Sequence, residues 1–337
     1  MSMENKLVQW YKAVQRDLPW RLTSDPYKIW LSEIMCQQTQ VATVIGYYNR
    51  FIEAYPTVEA LSKATEDEVY KLWEGLGYYS RAKRLMLCAR DVVEQHGGKF
   101  PKTYKEMIQL PGIGPYTAGA VLSIAFGVKE PAIDGNVMRV YSRLYNLSFD
   151  VGKADARKHF DAYVREDLPK EVSAFNQGLM ELGATICTPT KPKCTECPIQ
   201  NDCKARTLGI EKTLPIKTPK PKKKVKHMVV AYIEHKGAVM VEKRGTEGLL
   251  ANLWGFPIVE AEENVVSWIE ENYGLEVRAV EEMVSKKHVF THLVWEMTMV
   301  HYEAAEKVVL EDPEVHWTKD RTFGDYPLPT AFRKLLG

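Results

Sequence analysis

The stretch Leu110-Pro111-Gly112-Ile113-Gly114-Pro115-Tyr116-Thr117-Ala118-Gly119, with Ile133-Asp134-Gly135-Asn136-Val137-Met138-Arg139 downstream, decides how this chain is read. Gly112 and Gly114 flank one apolar residue and precede Pro115. That order suits a tight turn opening a helix, because glycine permits positive φ and proline is preset for the first helical position. Such a turn points several backbone N–H groups at one spot in front of a helix N-terminus, where they can hold a phosphate. The segment from Tyr116 to Phe126 carries Ala118, Gly119 and Ala120, small enough for close helix packing, and ends at Gly127, a natural C-cap. Asp134 falls between an apolar segment and Gly135, where a carboxylate can sit at a helix start.

Upstream, residues 4–20 read as an amphipathic helix with Leu7, Trp10, Tyr11 and Val14 on one face, stopped at Leu18-Pro19-Trp20-Arg21. Asp25-Pro26 opens a second helix, expected from Tyr27 to Tyr48. Ile34, Val41 and Ile45 fall on one of its stripes, and Glu33, Cys36, Gln37 and Gln40 on another. Helical patterns continue over 58–74, 80–96 and 104–110, and residues 154–185 read as two more helices. No strand-like alternation precedes residue 226, so the first part is expected to be all-α. The character changes at Lys212 to Lys226, with seven lysines, three prolines and no acid, an extended solvated linker. Beyond it, 228–233 and 238–241 predict a β-hairpin around Lys236-Gly237. Residues 289–298 and 300–302 offer further strands, and Val265–Tyr273 one helix. The expected organisation is multidomain: an all-α domain over 1–211, a basic linker over 212–226 and an α+β domain over 227–337.

At 337 residues the chain is long enough for two cores, and 45% hydrophobic with 26% charged residues is ordinary for a soluble protein. No run of eighteen apolar residues occurs and the first residues lack a signal-peptide core. The expectation is an intracellular protein with no membrane partner. The net charge of +1 hides an asymmetry, since residues 1–226 sum to +9 and residues 227–337 to −8. The first part is basic enough to sit on phosphates.

Cys187, Cys194, Cys197 and Cys203 are spaced C-x6-C-x2-C-x5-C in a loop rich in Pro and Lys. Four cysteines so close in an intracellular chain read as ligands rather than disulfides. A tetrahedral zinc ion and an iron–sulfur cluster both suit four thiolates from one loop, and spacing does not separate them. Cys36 and Cys88 stand outside this set.

LPGIGPYTAGA followed by PAIDGNVMRV resembles the helix-hairpin-helix motif and downstream Gly/Pro-rich loop with Asp of the endonuclease III superfamily of DNA glycosylases. Trp30-Leu31-Ser32-Glu33-Ile34-Met35-Cys36-Gln37-Gln38-Thr39-Gln40-Val41 resembles a signature of its MutY family, the adenine-specific mismatch glycosylases, and Gly75-Leu76-Gly77-Tyr78-Tyr79-Ser80-Arg81 matches a further segment. The resemblance implies a 4Fe–4S cluster on the four cysteines, and DNA phosphates met by the loop that carries Lys191 and Lys193. It implies duplex DNA with an adenine:8-oxoguanine mispair as partner, bound by a monomer working in the cytoplasm on nucleoid DNA. One departure is Cys36, where the family usually has Leu lining the adenine pocket.

By the same resemblance Glu33 donates a proton toward adenine N7 and later handles water, while Asp134 stabilises C1′ of the sugar. These are the two carboxyl roles that breaking a glycosidic bond requires. The adenine is flipped out of the duplex to reach them. Gln177 resembles an adenine-contacting residue, Tyr116 a residue near Asp134, and Gln38 and Tyr78 residues that fill the base stack. Bifunctional relatives place Lys where this chain has Tyr116, and Tyr forms no imine, so a monofunctional glycosylase is implied. Leu250-Ala251-Asn252-Leu253-Trp254-Gly255-Phe256-Pro257 resembles the family's Nudix-like domain. The Arg and two of the three Glu of a Nudix helix are missing ahead of Gly274, so pyrophosphate hydrolysis is not expected. Phe290-Thr291-His292 matches the family's Phe-Ser-His loop for 8-oxoguanine, with Thr in place of Ser.

Overall fold

A computed structural model describes residues 1–219, 221–311 and 313–337. In chain order its helices are α1 (Met3–Val14), α2 (Pro26–Cys36), α3 (Val41–Ala54), α4 (Val58–Ser62), α5 (Glu66–Trp73), α6 (Ser80–His96), α7 (Tyr104–Met107) and α8 (Pro115–Phe126). They continue with α9 (Gly135–Tyr145), α10 (Ala156–Glu166), α11 (Val172–Thr185), α12 (Lys204–Leu208), α13 (Val265–Tyr273) and α14 (Thr330–Leu336). The strands are β1 (Lys224–His235), β2 (Ala238–Lys243), β3 (Trp254–Gly255), β4 (Ile258–Glu260), β5 (Val277–Val289), β6 (Leu293–Ala304) and β7 (Val315–Thr318). The chain divides into two compact units, Met1–Ala64 with Lys83–Lys220, and Thr65–Ala82 with Pro221–Gly337.

In the first unit, α1, α9, α10 and α11 share a core in which Leu7, Val137, Tyr141, Phe160, Phe175 and Leu179 are fully buried. Pro115 is the first residue of α8 and Gly114 its N-cap, as the turn chemistry requires. Gly112 sits at φ +76°, and a Cβ there would lie 2.7 Å from Arg84 Cβ, so the turn has no room for a side chain. Gly119 shows the second need for glycine: its Cβ would stand 2.1 Å from the Pro131 carbonyl oxygen, so α8 passes against the 131 loop only because that atom is absent. Asp134 caps α9, accepting the Val137 backbone N–H at 2.8 Å.

Four helical expectations change in detail, the first being the helix expected over 4–20, which ends at Val14 ahead of a separate 3₁₀ turn at Pro19–Arg21. The helix expected from Tyr27 to Tyr48 is two helices, because Gln38 takes φ +57° between α2 and α3 and interrupts the hydrogen-bond ladder. The stretch 58–74 divides where Thr65 and Glu68 form a reciprocal capping box at the start of α5. The helix expected over 104–110 is the single turn α7.

The second unit is a mixed seven-stranded sheet in the order β3-β2-β1-β6-β5, with β4 paired to β1 and β7 to β2. β1 and β6 run parallel and the other pairs antiparallel. The expected hairpin at Lys236-Gly237 joins β1 to β2, and α13 has the bounds read from sequence. Two expectations are corrected. The linker expected to end at Lys226 gives up its last three residues to β1, where Lys224 pairs with Leu293 and Lys226 with Trp295. Lys220 of that linker lies outside the described residues. The strand expected over 289–298 is the end of β5, a turn and the start of β6, with Val289 opposite Val294 and the Phe290 N–H bonded to the Leu293 carbonyl at 2.9 Å. Phe290-Thr291-His292 is therefore a hairpin tip. The sheet buries Val230, Val241, Phe256 and Met299 on one side and Ile233, Met240, Ile269 and Leu275 on the other. Thr65–Ala82 belongs to this unit rather than to the helical one, with Val69, Tyr70 and Trp73 buried. Among the described residues no helix is long and apolar enough to cross a membrane.

Candidate active site and cysteine loop

One cavity of about 510 Å³ in the helical unit gathers Glu33 from α2, Tyr116 from α8, Asp134 at the start of α9 and Gln177 from α11. Gln38, at the break between α2 and α3, and Cys36 also line it. The Tyr116 hydroxyl donates to Glu33 Oε2 at 2.5 Å and lies 3.1 Å from Met180 Sδ. Burial pushes the Glu33 carboxyl up to about 7; the Tyr116 hydrogen bond pulls the other way, the Asp134 carboxylate adds to the rise, and Arg21 opposes it. Asp134 is also raised, by burial, against N–H groups of Val137 and Asn136 that stabilise its ionised form. Burial holds the Tyr116 phenol well above its ordinary range, so it stays a neutral donor.

Sequence reading missed a carboxylate that completes the cavity wall. Glu181, 1% exposed, accepts from Arg16 Nε at 2.7 Å, Arg16 Nη2 at 2.9 Å and Arg21 Nη2 at 2.6 Å. Burial alone would raise its pKa, but the two guanidinium groups hold it below the usual carboxylate range. The signal in the sequence is its spacing: Glu181 lies four residues after Gln177, on the same face of α11. Gln177 is pinned in turn, accepting from the Tyr11 hydroxyl at 2.8 Å and donating to Ser173 Oγ at 3.2 Å.

The cysteine loop follows α11. Cys187, Cys194, Cys197 and Cys203 border one small cavity, beside which Arg143, 2% exposed, places Nη1 3.3 Å from Cys187 Sγ. Among the described residues no three His, Cys, Asp or Glu side chains converge on the single point a lone ion needs. Arg143 also donates to the Thr188 and Pro189 carbonyls at 2.8 and 2.9 Å, and Arg139 to the Cys187 carbonyl at 2.8 Å. Arg139 further donates to Asn136 Oδ1 at 2.9 Å, and Asn136 to Asp134 Oδ2 at 2.7 Å. One side of α9 thus braces both the cavity carboxylate and the loop. Lys191 and Lys193 are exposed on that loop.

Residues 31–166 match the HhH-GPD superfamily of base excision DNA repair proteins, residues 187–203 the iron-sulfur binding domain of endonuclease III, and residues 228–337 the NUDIX domain. The human adenine DNA glycosylase is 32% identical over an alignment covering 99% of this chain and 73% of that protein. The adenine DNA glycosylase of Buchnera aphidicola subsp. Acyrthosiphon pisum is 34% identical, covering 98% of this chain and 95% of that protein. The chain belongs to the adenine DNA glycosylase family. Among solved structures, that of a thermostable thymine-DNA glycosylase shares the fold with a TM-score of 0.55 and 31% identity, covering 61% of this chain and 95% of that one.

As a member of the adenine DNA glycosylase family the chain is a DNA-binding enzyme of base excision repair, and its cysteine loop is an iron–sulfur site. The donor set fits that group: four thiols surround a shared cavity with a buried guanidinium at one sulfur. Burial pushes the Cys197 thiol up to about 12 and raises Cys194 and Cys203, so the thiolates of a cluster depend on the positive charge of its iron. The other residues singled out from sequence do not line the first cavity. Gly112 and Gly114 form the turn before α8, Tyr78 sits 46% exposed in the second unit, and Phe290, Thr291 and His292 form its hairpin tip with Thr291 and His292 exposed.

Proposed function

We propose that this glycosylase removes adenine mispaired with 8-oxoguanine, by acid-assisted hydrolysis of the N-glycosidic bond and without cutting the strand. The observation that carries the reading is the Glu33 carboxyl raised to about 7, beside a second carboxyl, Asp134, on the same cavity. A group poised near neutrality can hold a proton for the leaving base and accept one back from water. Adenine leaves only when protonated. Glu33 delivers the proton toward N7, and the electron pair of the breaking C1′–N9 bond departs with the base. The sugar becomes cationic at C1′, where the Asp134 carboxylate stabilises it; Glu33, now ionised, takes a proton from the water that adds to C1′.

Tyr116 supports the hydrolytic rather than lyase course. Its hydroxyl holds Glu33 in place and offers no amine for an imine. Gln177, held by Tyr11 and Ser173, places its amide on the cavity wall where the 6-amino edge of an adenine would lie, and the Glu181–Arg16–Arg21 cluster backs that wall. The cavity volume, about 510 Å³, suits a flipped base with its sugar. Gln38 and Tyr78 fill the vacated stack, the turn at Gly112 and Gly114 holds a backbone phosphate, and Lys191 and Lys193 meet others. Phe290, Thr291 and His292 read the opposite 8-oxoguanine; an exposed hydroxyl and imidazole at a hairpin tip suit its N7–H and 8-oxo groups. A 4Fe–4S cluster held by the four cysteines that border one cavity would brace the loop.

The test is single-turnover cleavage of a duplex with one adenine opposite 8-oxoguanine, guanine or thymine, with and without alkali. Strand breaks that need alkali, are fastest opposite 8-oxoguanine and vanish in Glu33→Gln are expected. Breaks without alkali would overturn the hydrolytic reading, and equal rates opposite 8-oxoguanine and guanine would overturn the selectivity.

A further inference from the structure

Tyr78 stands in a turn that suits its two glycines and not the tyrosine itself. Gly75 and Gly77 take φ +93° and +75°, and Tyr78 itself φ +51°, a region that an aromatic residue rarely enters. Such a conformation persists only where its surroundings over-determine it. The nearest supports are local: the Trp73 indole N–H donates to the Gly77 carbonyl at 3.0 Å, and Arg81 donates to the Leu76 and Gly77 carbonyls at 3.2 and 3.0 Å. The Arg81 guanidinium also lies between rings, 5.3 Å from the Trp73 centroid and 5.6 Å from that of Tyr78.

Trp73 ends α5, the Arg81 guanidinium of α6 lies over its ring, and α5 is held near its two ends by residues more than 160 positions away in the chain. At the first turn Lys243, the last residue of β2, donates to Asp67 Oδ1 and Oδ2 at 2.9 and 3.1 Å. At the other end Arg333 of α14 pairs with Glu74. The same guanidinium donates to the Thr322 carbonyl at 2.5 Å and the Phe323 carbonyl at 3.1 Å, which ties the helix to the sheet's core around Phe323 and Phe332. Between the two anchors Tyr70 is 1% exposed and bonds to Asn252. Tyr78 and the hairpin tip Phe290-Thr291-His292 therefore belong to one compact unit.

We infer that Lys243 and Arg333 are positioning residues for Tyr78, fixing the ring that fills the base stack on the body that reads the opposite base. The inference rests on the proposed roles of Tyr78 and the hairpin tip. Its consequence is that engagement of 8-oxoguanine sets where Tyr78 stands. Breaking the anchors should then weaken the advantage of 8-oxoguanine over guanine without touching the chemistry of Glu33.

The test compares the full-length holoenzyme with Lys243→Met/Arg333→Gln, Tyr78→Ala and the triple variant, by single-turnover rates opposite 8-oxoguanine and opposite guanine. The anchor variant should lose about five- to tenfold of the 8-oxoguanine preference, the size that two partly exposed ion pairs carry. The same loss should be absent in the Tyr78→Ala background, because both changes act through one ring. The exchange Asp67→Lys/Lys243→Asp should retain most of the preference, and it serves as the second variant if the first fails to fold. Additive losses in the triple variant, with Tyr78→Ala itself impaired, would overturn the positioning role and leave the reading of Tyr78 intact. Unchanged rates in Tyr78→Ala would overturn both.

Discussion

The cavity of the helical unit and the hairpin tip of the second unit are built in opposite ways. The cavity draws Glu33, Tyr116, Asp134 and Gln177 from four elements spread over 145 residues, and burial shifts the acidity of its carboxyls. The tip draws three consecutive residues from one turn, two of them exposed. Proton transfer requires water to be excluded from groups that must hold or release charge at neutral pH, and only distant parts of a chain folded together provide that. Reading a base edge requires the reverse: accessible donors and acceptors on a stiff support. Cavity variants should therefore change the rate whatever the opposite base, and tip variants should change the preference between opposite bases.

The largest expected effect is on the cavity. Glu33→Gln should lower single-turnover excision about 10²–10⁴-fold opposite 8-oxoguanine and guanine alike, with duplex binding retained in a mobility-shift titration. A loss confined to one opposite base would break the contrast. Thr291→Ala should lower the 8-oxoguanine preference about two- to tenfold, the worth of one hydrogen bond, while the rate opposite guanine stays within about twofold. A uniform fall in both rates would move the tip into the chemistry.

Two pH measurements sharpen the cavity side. Excision should fall on the alkaline side as Glu33 loses its proton near pH 7. Tyr116→Phe removes the hydrogen bond that favours ionised Glu33, so this limb should move to higher pH; a downward move would show that the phenol opposes ionisation. Stability follows the same sign. Glu33 titrates higher when folded than its ordinary 4.5, so its contribution is fully present below about 4.5 and is lost as pH rises through about 7. Glu33→Gln should melt above the parent chain at pH 8 and lose that advantage by pH 5. The smallest effect is expected at the cysteine loop's surface, where Lys191→Ala should reduce the salt slope of DNA binding by about 1 and leave excision at saturation unchanged.

Local chemistry was the legible part of this sequence. The Gly112–Pro115 turn, the Asp134 cap and α13 each depend on neighbours a few residues apart, and each was read within those limits. The break at Gln38 was not visible, because no glycine or proline marks the residue that takes the positive φ. β5 was missed because it is an edge strand with nearly all of its residues exposed, so the sequence carries no buried–exposed alternation to read. Glu181 escaped for a related reason: a carboxylate on a helix reads as solvated until Arg16 and Arg21, some 160 residues upstream, are seen to neutralise it.

Thr65–Ala82 packs with Pro221–Gly337, yet both of its ends run on into the helical unit. A protease cutting among residues 212–219 would nick this molecule without dividing it. A gene fragment ending there would encode Tyr70 and Trp73 without the surface that buries them. Recombination at the lysine–proline stretch would therefore leave Thr65–Ala82 behind, on the far side of the seam from the residues it packs with.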